Sequence, residues 1–466
     1  MKKVALIAPN GNDPSYGVSS PLNLGYIASY LEKNNIEVAI IDEIAGQNAE
    51  KELLKFSPDI VGITATTPLI YRAYQIADFC KKNGFLTVMG GVHVTVLPEE
   101  ALRHCDLVVC GEGEKAMLNI AKERGGSKEK GHKVIQGTDI TNIDEIPMPA
   151  RHLMQMDFYL KSRDRFPDSY YSFVPLHTKV ATIITGRGCP YRCLFCHNSI
   201  RSSFYRFNSA ERVIREIEFL IDKYEIGALF SIEDTLFANK KRFKEICNLM
   251  KEKKIDLIWA GNARVNEVDL ETLRLAKDVG CKQITFGFES GSQRVLDALN
   301  KGTTVEQNKR AIELCKNVGI IPQGTFIVGT PGETAKDIEA TKRFIKENKI
   351  GSTSGICIAT PYPGTRLWEF CKKNNLIPRK IQWDKMIMNK VIIPTNPTMS
   401  VETVEKYYSE IAQLCSSETP MLASSFIEDF KRRPFGMVKE AITHPRKVLR
   451  IAHRISKGLT AKRMGY

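Results

Sequence analysis

Short runs of Val, Ile and Leu alternate along this chain with stretches whose apolar residues return every three or four positions. Lys3–Ala8, Glu37–Ile41, Asp59–Ile63, Phe85–Met89 and Asp106–Cys110 have the continuous apolar character of strands covered on both faces. Between them, Leu22–Asn34, Ala49–Phe56, Ile70–Lys82 and Glu99–His104 have helical spacing or composition. This alternation predicts a doubly wound, Rossmann-like parallel sheet over residues 1–136, with any ligand at the carboxyl ends of its strands. Those ends carry Pro9–Asp13, Thr64–Pro68, Gly90–His93 and Gly111–Glu114.

A connector follows over 137–178, rich in proline and aromatic residues; it is read either as a cover for a pocket or as a packed strap. From 179 to 375 a strand–helix unit recurs six times, with strands expected near Val180–Thr185, Ala228–Ile232, Leu257–Ala260, Gln283–Phe286, Gly324–Val328 and Ile356–Ala359. Six units rather than eight predict an open, partial barrel, with its chemistry at the strand ends. There the chain places a cysteine-rich loop, Glu233-Asp234, Gly261–Arg264, Glu289–Gly291, Gly329–Glu333 and Thr360–Gly364. Residues 376–466 are expected to form a small helical region. The fold class is therefore α/β, a Rossmann-like domain followed by a (β/α)6 partial barrel.

Composition narrows the setting. The 466 residues are 43% hydrophobic, enough for two or three cores, and no window of about twenty apolar residues appears. The N-terminal apolar run is too short for a signal peptide, and the twelve cysteines lack paired secretory spacing. Together these predict a cytoplasmic protein. The net charge of +14 is concentrated in a tail, because Lys431–Tyr466 holds eleven Lys or Arg against one acid, Glu440. After Pro445, Val448, Ile451, Ala452, Ile455 and Leu459 share one helical face and basic residues cover the others. Such a helix suits the anionic inner face of a membrane, as a peripheral contact. Docking onto the protein is the other reading; nucleic acid is weaker, for no RNA-binding module accompanies the charge.

Cys189, Cys193 and Cys196 form a CxxxCxxC triplet without an obvious fourth ligand. Thiolates hold iron–sulfur clusters, and three ligands on a four-iron cluster leave one iron open for a small molecule. Zinc with His197 as fourth ligand is the competing reading, although structural zinc sites are normally built from paired knuckles.

With Phe195 before its last cysteine, this loop resembles the signature of the radical S-adenosylmethionine (SAM) superfamily. Gly287–Ser292 followed by Lys301–Thr303, and Gly329–Thr334, resemble that family's fourth and fifth strand ends. The resemblance implies a 4Fe–4S cluster on Cys189, Cys193 and Cys196, with SAM chelated to the open iron and a cellular one-electron reductant. It places Ser231, Glu233 and Asp234 near the SAM amino group, Arg264 and Glu289 near its carboxylate or ribose, and Phe195 near adenine. Ser290 and Gly329 belong to the same strand-end set. Gln382–Asp384 and Met399–Glu402 resemble the strap and helix that close such barrels.

Pro21–Leu31, Gly90–Glu100 and Gly111–Glu114 resemble the cobalamin-binding domain that precedes the barrel in one large radical SAM class. This implies cobalamin, with Thr64, Gly90, Gly91 and His93 at its site. The DxHxxG motif that often supplies a cobalt ligand is absent, since Asp13–Gly17 contains no His. A sheet that binds no corrinoid is the alternative. The implied activity is methylation of an unactivated carbon in a small or lipid-like substrate. A radical cyclisation, coupling, oxidation or rearrangement is the alternative outcome. A non-catalytic cluster or corrinoid sensor is a third reading, one that leaves the SAM-facing set without a purpose.

Overall fold

The computed structural model describes residues 2–11, 19–123, 133–165, 171, 173–199, 205–350 and 355–417. They fall into two compact units, each assembled from separate stretches of chain. The first comprises Met1–Leu160, Thr182–Phe219 and Thr360–Thr395; the second comprises Lys161–Ala181, Leu220–Ala359 and the chain from Asn396.

In the first unit, β1 (Lys3–Ala8), β2 (Glu37–Asp42), β3 (Ile60–Thr64), β4 (Leu86–Gly90), β5 (Leu107–Cys110) and β6 (Lys133–Gln136) form one parallel sheet. Its order is β2-β1-β3-β4-β5-β6, so the chain reverses direction across the sheet between β1 and β3, where doubly wound sheets open a crevice. The sixth strand was not foreseen. It has four residues, is partly exposed and begins on Lys and ends on Gln, so no apolar run marks it.

Ala5, Ile7, Val61, Ile63 and Met89 form the centre of the core and are at most 2% exposed. Trp368, Cys371, Trp383 and Met386, from the late segment Thr360–Thr395, pack into the same core. Tyr71 Oη also donates to Ile381 O at 2.9 Å. The Trp383 run, expected as a strap on the barrel, thus completes the first sheet instead. The sequence contains both indoles, but only the folded chain shows which sheet they cover. Burying each such side chain contributes about 1.5–3 kcal/mol.

The chain next forms β7 (Val180–Ile183), then the short β8 (Gly186–Arg187) and β9 (Arg206–Phe207), which pair antiparallel. The second sheet continues with β10 (Ala228–Ser231), β11 (Ile258–Ala263), β12 (Cys281–Glu289), β13 (Ile321–Val328) and β14 (Gly355–Ile358), in the order β14-β13-β12-β11-β10-β7. It is the expected open, six-stranded partial barrel. β11 and β12 run three residues past their expected ends, which makes Glu289 the last residue of its strand rather than a loop residue.

One face of β12 and β13 carries Phe286, which stacks on Phe288, and Phe288 and Phe326, which meet Phe344 of the helix Ala335–Asn348. On the other, Gln323 Oε1 accepts from Gln283 Nε2 at 2.5 Å and Thr285 Oγ1 at 2.8 Å. The helix Val401–Ser417 packs against β14 and the helix Ala335–Asn348. The basic tail, with its expected helix at 445–459, lies outside the described residues. Among the described residues, no helix is long and apolar enough to cross a membrane.

Candidate active site

At the carboxyl ends of β1, β3, β4 and β5 the first unit encloses a cavity of about 400 Å³. That volume is typical of a small-molecule site. Thr64, Gly90 and Gly91 line it, as expected from the sequence. Gly91 has φ +96°, and a Cβ there would sit 2.6 Å from Ala65 O and 2.8 Å from Ala65 N. Only glycine permits that turn, which brings backbone rather than side chain to the cavity wall. His93 is not among the lining residues. It is fully buried, with Nδ1 3.1 Å from Thr67 Oγ1 and its ring edge-on to Trp383 at 5.1 Å. Its packing partner lies almost three hundred residues away, so no local pattern could orient the ring.

The cysteine loop spans β8 to β9, and its own His197 and Asn198 line the same cavity. Cys193 is buried and Cys189 and Cys196 are half-buried; none of the three is in a disulfide. Among the described residues no three His, Cys, Asp or Glu side chains are already gathered as a metal-holding group. The donor set itself, three soft sulfurs on one loop, fits an iron–sulfur cluster, and ligand closure normally accompanies metal binding.

Charged groups surround the base of the loop. Arg206 donates to Glu112 at 2.5 and 3.0 Å, Arg187 Nη1 lies 3.3 Å from Glu112, and Arg187 Nη2 donates to Glu114 at 2.7 Å. Burial opposes the Glu112 charge, but the Arg206 hydrogen bonds and the two guanidinium charges outweigh it and hold the carboxyl below its ordinary value. The Arg187 guanidinium also lies over the Tyr26 ring, and Tyr26 Oη donates to Ile184 O at 3.1 Å.

In the second unit, β10 ends on Ser231, whose buried Oγ has no hydrogen-bond partner among the described residues. Glu233 is buried and Asp234 exposed. The Glu233 carbonyl accepts from Asn262 Nδ2 at 3.1 Å, and Thr235 Oγ1 donates to Glu267. Glu267 Oε2 also accepts from Arg264 N at 3.1 Å, while the Arg264 guanidinium donates to Lys301 O. Glu289, at φ +60°, accepts from Lys301 Nζ at 2.5 Å, and both side chains are buried. A Cβ on Gly287 would lie 2.3 Å from Glu289 Oε1 and 2.6 Å from Lys301 Nζ, so this glycine makes room for the ion pair.

Ser290 instead faces the helix Ala335–Asn348, with Oγ 3.0 Å from Thr341 Oγ1. Gly329 N and Thr330 N donate to Glu333 Oε2 at 2.7 and 3.1 Å, and the Thr330 side chain also favours the carboxylate. Burial pushes the Glu333 carboxyl up to about 7. The sequence reading named Glu112 and Asn262 only as members of the strand-end runs Gly111–Glu114 and Gly261–Arg264, and did not name Glu267 or Arg206. Taken alone, each reads as an ordinary surface polar residue, and its burial is a tertiary fact.

The sequence matches the Radical SAM superfamily over residues 183–345 and the B12 binding domain over residues 12–121. It is 37% identical to the "uncharacterized methyltransferase PH0819" of Pyrococcus horikoshii over 77% of this chain and 79% of that relative. It is 29% identical to the anaerobic magnesium-protoporphyrin IX monomethyl ester cyclase of Rubrivivax gelatinosus, over 79% of this chain and 69% of that one. Among solved structures, the fold superposes on the radical SAM methyltransferase TsrM of Kitasatospora setae with a TM-score of 0.66 and 18% identity, over 82% of this chain and 80% of that one. The protein is a radical SAM enzyme whose barrel is joined to a B12-binding domain, and it belongs to that branch of the superfamily. Its cofactors are those of the matched families: SAM, a 4Fe–4S cluster and cobalamin.

Proposed function

We propose that this enzyme methylates an unactivated carbon of a small or lipid-like molecule. The observation that carries the reading is the cavity at the carboxyl ends of the first sheet, bordered by His197 and Asn198 of the cysteine loop itself. A B12-type site and a cluster-type loop within one unit suit a reaction that needs both. The methyltransferase names of the Pyrococcus relative and of TsrM support it.

When bound, the cluster with SAM supplies hydrogen-atom abstraction and the corrinoid supplies methyl transfer. In this reading Cys189, Cys193 and Cys196 hold the cluster. Thr64, Gly90 and Gly91 form the corrinoid floor, and His93 supports it from the core. Ser231 offers its hydroxyl to SAM, Glu233 and Asp234 supply acceptors for an ammonium, and Phe195 supplies an apolar face for adenine. Arg264 is held ready by Glu267, and Glu289, fixed by Lys301, is a preorganised carboxylate for ribose hydroxyls.

The test uses anaerobically reconstituted protein, a one-electron reductant, SAM carrying a trideuterated methyl group, and cell extract as substrate pool. Deuterated product accompanied by equal amounts of S-adenosylhomocysteine and 5′-deoxyadenosine is expected. Formation of 5′-deoxyadenosine with neither label transfer nor S-adenosylhomocysteine would sink methylation. It would favour the second reading, ring closure, which the similarity to the cyclase supports. The basic tail adds a proposed peripheral contact with anionic membrane. Equal flotation on anionic liposomes of the full chain and of a chain ending at Arg432 would remove it.

A further inference from the structure

β8 and β9 are only two residues long each, and a ribbon so short has little stability of its own. Its register puts Arg187 directly opposite Arg206, and like charges in that position oppose the pairing. Glu112 pairs with both guanidinium groups, and Glu114 accepts a hydrogen bond from Arg187. Glu112, Glu114 and Arg206 are each at most 7% exposed, so removing one partner leaves a largely buried charge without its counter-ion. The connector joins the arrangement: Ile140 N donates to Glu112 at 3.3 Å and Ile140 O accepts from Arg206 at 2.7 Å. All four charged side chains border the cavity, and the cysteine loop lies between the two strands of the ribbon.

We propose that Glu112 is the clasp of the cysteine loop, the shared counter-ion that closes β8 on β9 and ties the loop to the cavity wall. A corrinoid seated at the cavity then steadies the cluster-bearing loop, and a cluster on the loop tightens the cavity. Such coupling is reciprocal, because both ligands act on one set of contacts. The coupling rests on the corrinoid reading of the cavity; the role of Glu112 at the base of the loop does not. Glu112 acts through the arginines and is a positioning residue.

The experiment compares wild type, Glu112→Gln and Glu112→Asp as full-length, cluster-loaded protein. It records the rate of iron loss to EDTA with and without hydroxocobalamin, and the hydroxocobalamin Kd with and without the cluster. In wild type, hydroxocobalamin slows iron loss about tenfold and the cluster tightens hydroxocobalamin by a similar factor, as expected for a coupling of ordinary size. Glu112→Gln loses iron about tenfold faster and abolishes both effects, whereas Glu112→Asp, which keeps the charge, retains part of each. Wild-type iron retention in Glu112→Gln overturns the clasp. Hydroxocobalamin that binds wild type without changing its iron loss overturns the coupling and leaves the corrinoid reading standing; hydroxocobalamin that does not bind at all overturns both. Should Glu112→Gln yield no folded protein, Arg206→Lys, which keeps the charge but loses the two-point grip, is expected to speed iron loss. An unchanged rate there overturns the clasp as well.

Discussion

In the first unit the charged side chains around the cavity already answer one another, Glu112 and Glu114 against Arg187 and Arg206. In the second, the strand-end set of Ser231, Glu233 and Arg264 leaves Ser231 Oγ buried with no partner among the described residues. An unmet buried polar group costs about 1–3 kcal/mol, so the second set gains when a polar ligand completes it. The first set has its charges paired without a ligand, with Arg206 Nε the one buried atom of the four residues left without a hydrogen-bond partner among the described residues. It shapes the cavity through glycines that bring backbone to the wall. The same kind of parallel sheet thus ends in mutually paired charges around a cavity in one unit and in an unpaired hydroxyl at a strand end in the other.

The largest expected effect lies on the cysteine loop. Cys193→Ala should reduce cluster iron to background in a ferrozine assay and abolish 5′-deoxyadenosine formation, while leaving the cavity's glycine wall intact. Glu289→Gln comes next. It leaves the Lys301 ammonium buried without its counter-ion, a loss of about 3–5 kcal/mol, read as a lower unfolding temperature and SAM binding roughly a hundredfold weaker by calorimetry.

Glu333 titrates near 7 in the folded protein against its ordinary 4.5, so the folded state holds that proton more tightly than the unfolded chain does. Stability should therefore fall as pH rises from about 4.5 to about 7, by at most about 3 kcal/mol, and Glu333→Gln should flatten the urea midpoint across that window. Gly91→Ala tests the glycine-shaped wall: a side chain in that backbone region costs about 1–3 kcal/mol, and hydroxocobalamin binding should weaken while SAM binding does not. Ser231→Ala is the smallest and sharpens the contrast most. Removing an orphaned hydroxyl should raise the free protein's stability, by about 1 kcal/mol, and weaken SAM by about 1 kcal/mol, roughly fivefold.

The strands were legible wherever burial on both faces made the apolar run continuous, as in β1, β3 and β5. β6 was hidden because an edge strand of four residues carries no such run. Thr64, Gly90 and Gly91 were legible as cavity residues because the carboxyl end of a parallel strand is a ligand position whatever the sequence around it. His93 was one residue beyond that reach: the backbone turns at Gly91, and the imidazole packs into the core against Trp383. Ser290 likewise stood in the expected strand-end run, yet a hydroxyl partner on a helix fifty residues later, Thr341, decided its direction.

What the sequence determined by itself is the chemistry and its order along the chain: three thiols at fixed spacing, two successive strand–helix sections, and polar residues where each strand stops. Periodicity and spacing are local, and local patterns are sufficient for such features. Only the tertiary structure decided that Trp368 and Trp383 complete the first core rather than close the barrel, and that Glu112 stands between two arginines at the base of the cysteine loop. Those are pairings between residues from about 75 positions apart, Glu112 and Arg187, to about 380, Ala5 and Trp383. Their energies come from burial and from charges brought within hydrogen-bonding distance, quantities that exist only once the chain has folded.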